Sequence, residues 1–338
     1  MREDRVDVLR FLGLAMIILA HVDPAPWLFQ LRNFDVPLMV LVSGMSFALS
    51  YSDGMTYKDY VWKRVKRLLF PVWIFLSFYF VALWFFSPDS RELNLRTIAT
   101  SFGLVSGIGY VWIIRVFLMV ALVAPFLLNW HRKDRTAMKY YSAMLFAWLL
   151  YEMLRYISLP YGKNGLGQLI SLVCLYVIPY SLVFLLGVKM LAMKKVHLYT
   201  LGALCLLVFA SVAAVLYFDS GRFVATQELK YPPSIYYFSY AIFVATSLWL
   251  CATKIVAFLR RLKLGALVSF VSNNSIWIYL WHIPFIKLIS TDYLVKYFVV
   301  FGLAVFVAFV QKRLVDTYVL PSLKSPQTKS NVKLMLTG

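Results

Sequence analysis

The chain has 338 residues, of which 62% are hydrophobic and 14% charged, and its mean hydropathy is +0.75. A soluble domain averages about 45–50% apolar and about 25% charged residues, so this composition excludes an ordinary soluble fold. In a soluble protein the net charge of +19 would point to nucleic acid; here its placement along the chain is a topology signal, and nucleic acid is not expected as a partner.

The apolar residues come in runs of about 20, the length that crosses a hydrocarbon core of about 30 Å. In chain order the runs predict spans at 8–22, 35–51, 67–86, 110–130, 139–158, 168–190, 196–217, 234–258, 264–289 and 294–315. The first run carries Arg10 and no clean cleavage site follows it, so it reads as a retained helix. The stretch 96–109, moderately apolar and rich in Gly, Ser and Thr, reads as an interfacial or re-entrant piece. Residues 1–320 are expected to form one transmembrane domain. From 321 a cytoplasmic polar tail follows, poorly ordered beyond Ser325.

Lys and Arg between the spans fall into two alternating sets. One holds the N-terminus (Arg2, Arg5), the segment with Lys58, Lys63, Arg64, Lys66 and Arg67, and that with Arg132, Lys133, Arg135 and Lys139. It continues through Lys189, Lys194 and Lys195, then the group from Lys254 to Lys263, then the C-terminal group from Lys312 onward, twenty-three residues in all. The alternate set holds six: Arg32, Arg91, Arg96, Lys163, Arg222 and Lys230. Positive residues collect on the cytoplasmic side. The expectation is an all-α polytopic integral membrane protein of about ten transmembrane helices with both termini cytoplasmic. Some of the basic residues can also contact anionic membrane lipid.

Cys174, Cys205 and Cys251 each sit in an apolar run without metal-ligand spacing and are expected to be small buried hydrophobes. No metal is expected.

A charged group inside a span costs about 2.5–3.5 kcal/mol on insertion scales, so polar residues within spans mark where chemistry should be sought. Arg10 and His21 lie 11 residues apart, three turns plus about 20°, on one face of the first span and about 16 Å apart along its axis. Asp7 shares that face at i,i+3. Asp23, two residues after His21, is an orienting candidate that is expected at the surface. Arg64 and Arg67 share a face at i,i+3 at the cytoplasmic mouth of the third span. They read either as a positive-inside cluster or as an anion site for phosphates, which suit the planar guanidinium fork. Ser43 and Gly44 are small residues at mid-membrane, suited to close helix packing or to lining a passage beside His21. His21, Arg115, Glu152, Arg155 and His282 fall at similar depth in the outer half, with Tyr279 at helical spacing from His282. Together they predict a polar chamber open to the outer face, although each alone also fits an anchor or an internal ion pair.

R-V-D-V-L-R at Arg5–Arg10 followed by His21, F-x-x-P-L-x-x-x-x-S-G at Phe34–Gly44 and R-V-K-R-L-L-F-P at Arg64–Pro71 resemble the membrane acyltransferase 3 family. Tyr110–Pro125 is similar to its Trp-containing span ending in Pro, and Ser275–Pro284 to its late S-x-x-I-Y-L-x-H-x-P pattern. Phe11 stands where the family commonly has Gly, and Met39-Val40-Leu41 where Phe is frequent. The resemblance implies an acyl-CoA-dependent O-acyltransferase of the cytoplasmic (inner) membrane. It would move an acetyl group from cytoplasmic acetyl-CoA to a hydroxyl of a cell-surface or lipid-linked glycan. Arg64 and Arg67 would hold CoA phosphates, with Arg10 and Ser43 along the donor's route. His21 would be the catalytic residue, as general base or transient acyl carrier. Arg115, Glu152, Tyr279 and His282 would meet the acceptor. The alternative is a transporter or exporter of a glycan or lipid-linked precursor, although the inverted repeats common in transporters are not visible. Oligomer formation is compatible with either reading.

Overall fold

The computed structural model describes residues 3–51, 54–133, 136–162 and 165–338. Arg2, Arg135 and Lys163, counted above, lie outside them. Among the described residues all regular structure is helical. The order is α1 (Asp4–Ala20), α2 (Pro26–Leu31), α3 (Asp35–Ser50), α4 (Tyr57–Phe86), α5 (Leu95–Phe102), α6 (Trp112–Arg132) and α7 (Ala137–Ser158). Then come α8 (Gly165–Met190), α9 (Lys195–Ser220), α10 (Ile235–Arg261), α11 (Gly265–Asn273), α12 (Ser275–Leu288), α13 (Tyr293–Leu314), α14 (Leu320–Ser322) and α15 (Pro326–Leu336).

Seven helical stretches among these residues are long and apolar enough to cross a membrane: Pro26–Ser50, Tyr57–Phe86, Trp112–Arg132, Ser171–Met190, Lys195–Ser220, Ile235–Arg261 and Tyr293–Ser322. The chain is a multi-pass helical membrane protein. The other three expected spans are helical but differ from the simple pattern. The first, α1, has 17 residues. The fifth, α7, carries Lys139, Glu152 and Arg155 among its apolar residues. The ninth is interrupted at Asn274, whose backbone leaves helical geometry at φ −105°, ψ 22° and whose side-chain amide shares the Phe270 carbonyl, at 2.7 Å, with its own N–H at 3.0 Å.

The backbone groups into two compact units. The first contains Met1–Ile17, Ala25–Tyr51 and Val123–Gly265, so it holds most of α1, α2, α3 and α7 to α10. Its tightest packing is α3 against α8. A Cβ on Gly44 would lie 2.1 Å from Phe184 O, and one on Gly187 would lie 2.0 Å from Leu41 O. Each helix therefore presses a bare glycine against the other's backbone, the close approach that small residues permit in membrane helices. Helices α9 and α10 form the other long pair. The cysteines are not core residues: Cys251 is exposed and Cys174 and Cys205 are half-buried. Their helices carry apolar residues on outward faces as well as inward ones, so an apolar run does not by itself mean burial in protein.

The second unit contains Ile18–Pro24, Ser52–Leu122 and Ala266–Gly338. Helix α12 packs on α13 and α4. The segment expected to be a poorly ordered tail is α15, which packs along α4. Lys66 Nζ donates to Asn331 Oδ1 at 2.7 Å, Gln311 Nε2 to Leu336 O at 2.7 Å and Trp277 Nε1 to Met335 O at 3.2 Å. Its polar sequence gave no sign of this because those partners are polar groups on distant helices.

Candidate functional site

Helix α1 ends at Ala20, and His21 follows with its N–H still bonded to Ile18 O at 3.0 Å. The imidazole is thus held by the last turn of a helix. Beyond it, Asp23 adopts a left-handed φ of 55° and is exposed, so the chain turns away into the next segment.

Within the second unit, His21 Nδ1 lies 2.9 Å from His282 Nε2, with the two rings stacked at a centroid distance of 5.0 Å. His282, on α12, is fully buried, and its Nδ1 bonds the carbonyl of Tyr279, one turn earlier on the same helix. A carbonyl only accepts, so His282 Nδ1 carries the proton and its Nε2 is an acceptor. His21 Nδ1 then donates to it, which makes Nε2 the unprotonated nitrogen of His21. The Asp23 carboxylate considered above is not what the ring pairs with through Nδ1; that partner is a second histidine.

Two tyrosines complete the surroundings. Tyr110 meets His21 edge-on at 5.0 Å between centroids and His282 at 6.0 Å. Tyr279 lies 6.5 Å from His21, and its hydroxyl donates to Tyr110 O at 2.6 Å. The loop that presents Tyr110 is pinned throughout. Arg115 donates from Nη1 to Leu104 O at 3.2 Å and Val105 O at 2.9 Å. Ser101 Oγ accepts from Ile108 N at 3.0 Å, and Trp73 Nε1 donates to Phe102 O at 2.9 Å. Gly107, at φ +51°, sits so close to Ser101 that a Cβ there would meet its backbone at 2.4 Å. Of the residues nominated from the sequence, His21, Tyr279 and His282 come together, and Arg115 fastens the loop beside them.

Tyr110 also neighbours a cluster that the sequence did not reveal. Lys287 Nζ, at the end of α12, lies 5.8 Å from the Tyr110 ring centroid. It pairs with Glu92 and donates to Tyr79 OH at 2.7 Å, while Tyr79 OH donates to Glu92 Oε2 at 2.6 Å. Lys287 lies inside the predicted span 264–289 and Glu92 in a loop between spans, 195 residues apart, so no sequence pattern links them.

At the other end of α4, the Arg64 guanidinium lies 5.0 Å from the Tyr60 ring centroid. Arg67 is exposed one turn further on. Tyr57 and Tyr60 hydroxyls donate to Leu122 O and Ala121 O at 3.0 and 2.9 Å, fixing the start of α4 against α6. From Arg67 to Tyr79 is 12 residues, about 18 Å of helix. The two arginines can take phosphate oxygens in a fork geometry.

In the first unit, Arg10 forms the expected pair with Asp7, at 3.6 Å, and donates to the Ser46 hydroxyl. Ser43, the serine singled out above, is half-buried one turn before Ser46 on α3. Glu152 pairs with Arg155 and accepts from Ile235 N at 3.1 Å, so it holds the start of α10. A further buried group joins two loops: Arg32 Nη1 bonds Asp35 Oδ2 at 2.8 Å, and Lys230 Nζ donates to Asn33 Oδ1 at 3.0 Å, 3.7 Å from Asp35 Oδ1. Burial pushes the Lys230 amine down to about 8; Asp35 opposes this and Arg32 adds to it.

A search of curated proteins and one of solved structures found no match. A family model described as an acyltransferase domain, that of acyltransferase 3, matches residues 3–310. With nearly the whole chain matched, the protein belongs to the acyltransferase 3 family of membrane acyltransferases.

Proposed function

We propose that this acyltransferase moves an acetyl group from cytoplasmic acetyl-CoA to a hydroxyl of a cell-surface or lipid-linked glycan in the cytoplasmic membrane, with His21 as general base. The observation that carries this reading is the directed pair of histidines. The Tyr279 carbonyl fixes the tautomer of His282, His282 fixes that of His21, and Nε2 of His21 is left as the basic nitrogen. Histidine suits the role because its ordinary pKa lies near neutrality, and a positioned base contributes about 10²–10⁴-fold.

In this mechanism His21 Nε2 takes the proton of the acceptor hydroxyl as its oxygen attacks the thioester carbonyl carbon. The carbon–sulfur bond breaks, and the departing thiolate takes that proton back from the imidazolium. His282 does not titrate in this scheme. It holds the ring and stabilises the cation formed on it. Arg64 and Arg67 hold the donor's phosphates at the cytoplasmic end of α4. The length of about 18 Å between Arg67 and Tyr79 gives a pantetheine arm room to reach the histidine end of the same helix.

The test uses purified protein in detergent, labelled acetyl-CoA and a panel of glycans, beside His21→Ala and the double variant Arg64→Ala/Arg67→Ala. Labelled product with wild type is expected. With His21→Ala it should fall at least 10²-fold, and with the double arginine variant the KM for acetyl-CoA should rise. Transfer by His21→Ala at the wild-type rate would overturn the assignment.

A further inference from the structure

The cluster beside Tyr110 does more than join helices. Lys287 and Glu92 have side chains about one-third exposed, at 32% and 30%, although each makes strong polar contacts. Lysine offers three donors, and two are used by Glu92 and Tyr79. Glu92 accepts from Lys287 through one oxygen and from Tyr79 through the other, and each oxygen keeps further lone-pair capacity. The exposed side of the cluster therefore presents both a donor and an acceptor, with little net charge because the ammonium and carboxylate cancel. Tyr110 supplies an apolar ring between this cluster and the base: the His21 centroid lies 5.0 Å from its centroid and Lys287 Nζ 5.8 Å. An aromatic face next to paired donors and acceptors matches the alternating C–H and O–H surfaces of a sugar. The pinned loop keeps that ring from moving away, so a guest meets a site formed in advance.

We propose that Tyr110, Lys287, Glu92 and Tyr79 form the acceptor-binding site, and that it takes an uncharged sugar ring rather than an acidic one. The sugar stacks on Tyr110 while two neighbouring hydroxyls bridge Lys287 and Glu92, which brings a third hydroxyl to His21. An acidic sugar gains nothing from Lys287, whose charge is already matched by Glu92. The site deepens the O-acyltransferase reading above and rests on it for the identity of the reaction.

The experiment measures binding and transfer separately on the full chain in detergent. Saturation-transfer NMR follows methyl β-glucoside and methyl β-glucuronide, and a second assay measures labelled acetyl transfer to the same compounds. Wild type should bind the glucoside and bind the glucuronide no more tightly. Lys287→Met and Tyr110→Ala should each weaken glucoside binding about tenfold or more, with Lys287→Arg recovering part of the loss. His21→Asn should bind the glucoside normally and fail to transfer. Size-exclusion profiles and acetyl-CoA affinity should be unchanged in all four variants. Absence of glucoside binding to wild type overturns the site, as does preference for the glucuronide. Equal binding by wild type, Lys287→Met and Tyr110→Ala also overturns it, and leaves the acyltransferase reading standing if transfer persists. Variant-sensitive binding without any acetyl transfer by wild type upholds the sugar site and removes the donor chemistry instead.

Discussion

Adding one methyl group at the α3–α8 crossing should loosen the first unit. A Cβ at Gly44 would sit 2.1 Å from Phe184 O, whereas ordinary van der Waals contact is 3.4–4 Å. The obstacle is backbone, so no side-chain rotation relieves it, and the helices must part by about 1.3 Å. A gap of about 0.5–1 Å already forfeits a quarter to a half of a dispersion contact, and Leu41, Val42, Met45, Val183 and Phe184 all pack near the crossing in fully or almost fully buried positions. Overpacking of this kind costs about 1–3 kcal/mol, and here the upper end applies. Alanine's better helix propensity returns about 1 kcal/mol, leaving about 2 kcal/mol net. Tryptophan fluorescence during heating of the detergent-solubilised protein should then show a fall in apparent Tm of about 4 °C for Gly44→Ala and a similar fall for Gly187→Ala. Because one displacement relieves both clashes, the double variant should cost clearly less than the sum of the two. Gly302→Ala, on α13 with nothing within 4 Å of the new atom, should match wild type or exceed it. Unchanged Tm in both single variants, or full additivity in the double, would refute this account of the crossing.

Further outcomes follow from the same geometry. His282→Ala should lower transfer about 10²-fold without changing acetyl-CoA affinity, because it removes the group that orients His21; equal rates in variant and wild type would contradict the directed pair. The Lys230 amine has a folded pKa near 8 against 10.5 for the free side chain, so between those values the unfolded chain binds more protons. Stability should therefore rise with pH from about 8 to 10.5, and Lys230→Met should flatten that rise; a pH–melting series decides it. Truncation after Ser325 removes α15 and its bonds to Lys66, Trp277 and Gln311, and should lower the apparent Tm by several degrees. In the intact protein this segment should resist limited proteolysis.

The sequence was most legible where physics leaves one residue conspicuous. An imidazole within an apolar run stands out, and His21 and His282 are both readable that way. Their pairing was not, because 261 residues separate them and no pattern of period 3.6 crosses such a distance. Ser43 and Ser46 sit one turn apart, and only the packed structure shows that the Arg10 guanidinium reaches the second. The sequence leaves Arg115 open between a contact to the acceptor and an anchor; in the structure its guanidinium bonds loop carbonyls, partners that carry no sequence signal. Lys287 fell inside a predicted span and so outside the charge comparison that fixed the expected topology. The break at Asn274 was hidden because a polar pair in an apolar stretch fits a continuous helix as readily as a broken one.

Tyr279 holds the histidine pair through its main chain and the Tyr110 loop through its side chain. A backbone carbonyl is supplied by any amino acid, so the grip on His282 survives substitution at this position, while the grip on the loop does not. A change to phenylalanine at residue 279 therefore frees the loop while keeping both the main-chain bond to His282 and the ring that packs 4.9 Å from it. Two fastenings, one of the imidazole pair and one of the loop, thus meet at a single residue and differ in how they respond to substitution.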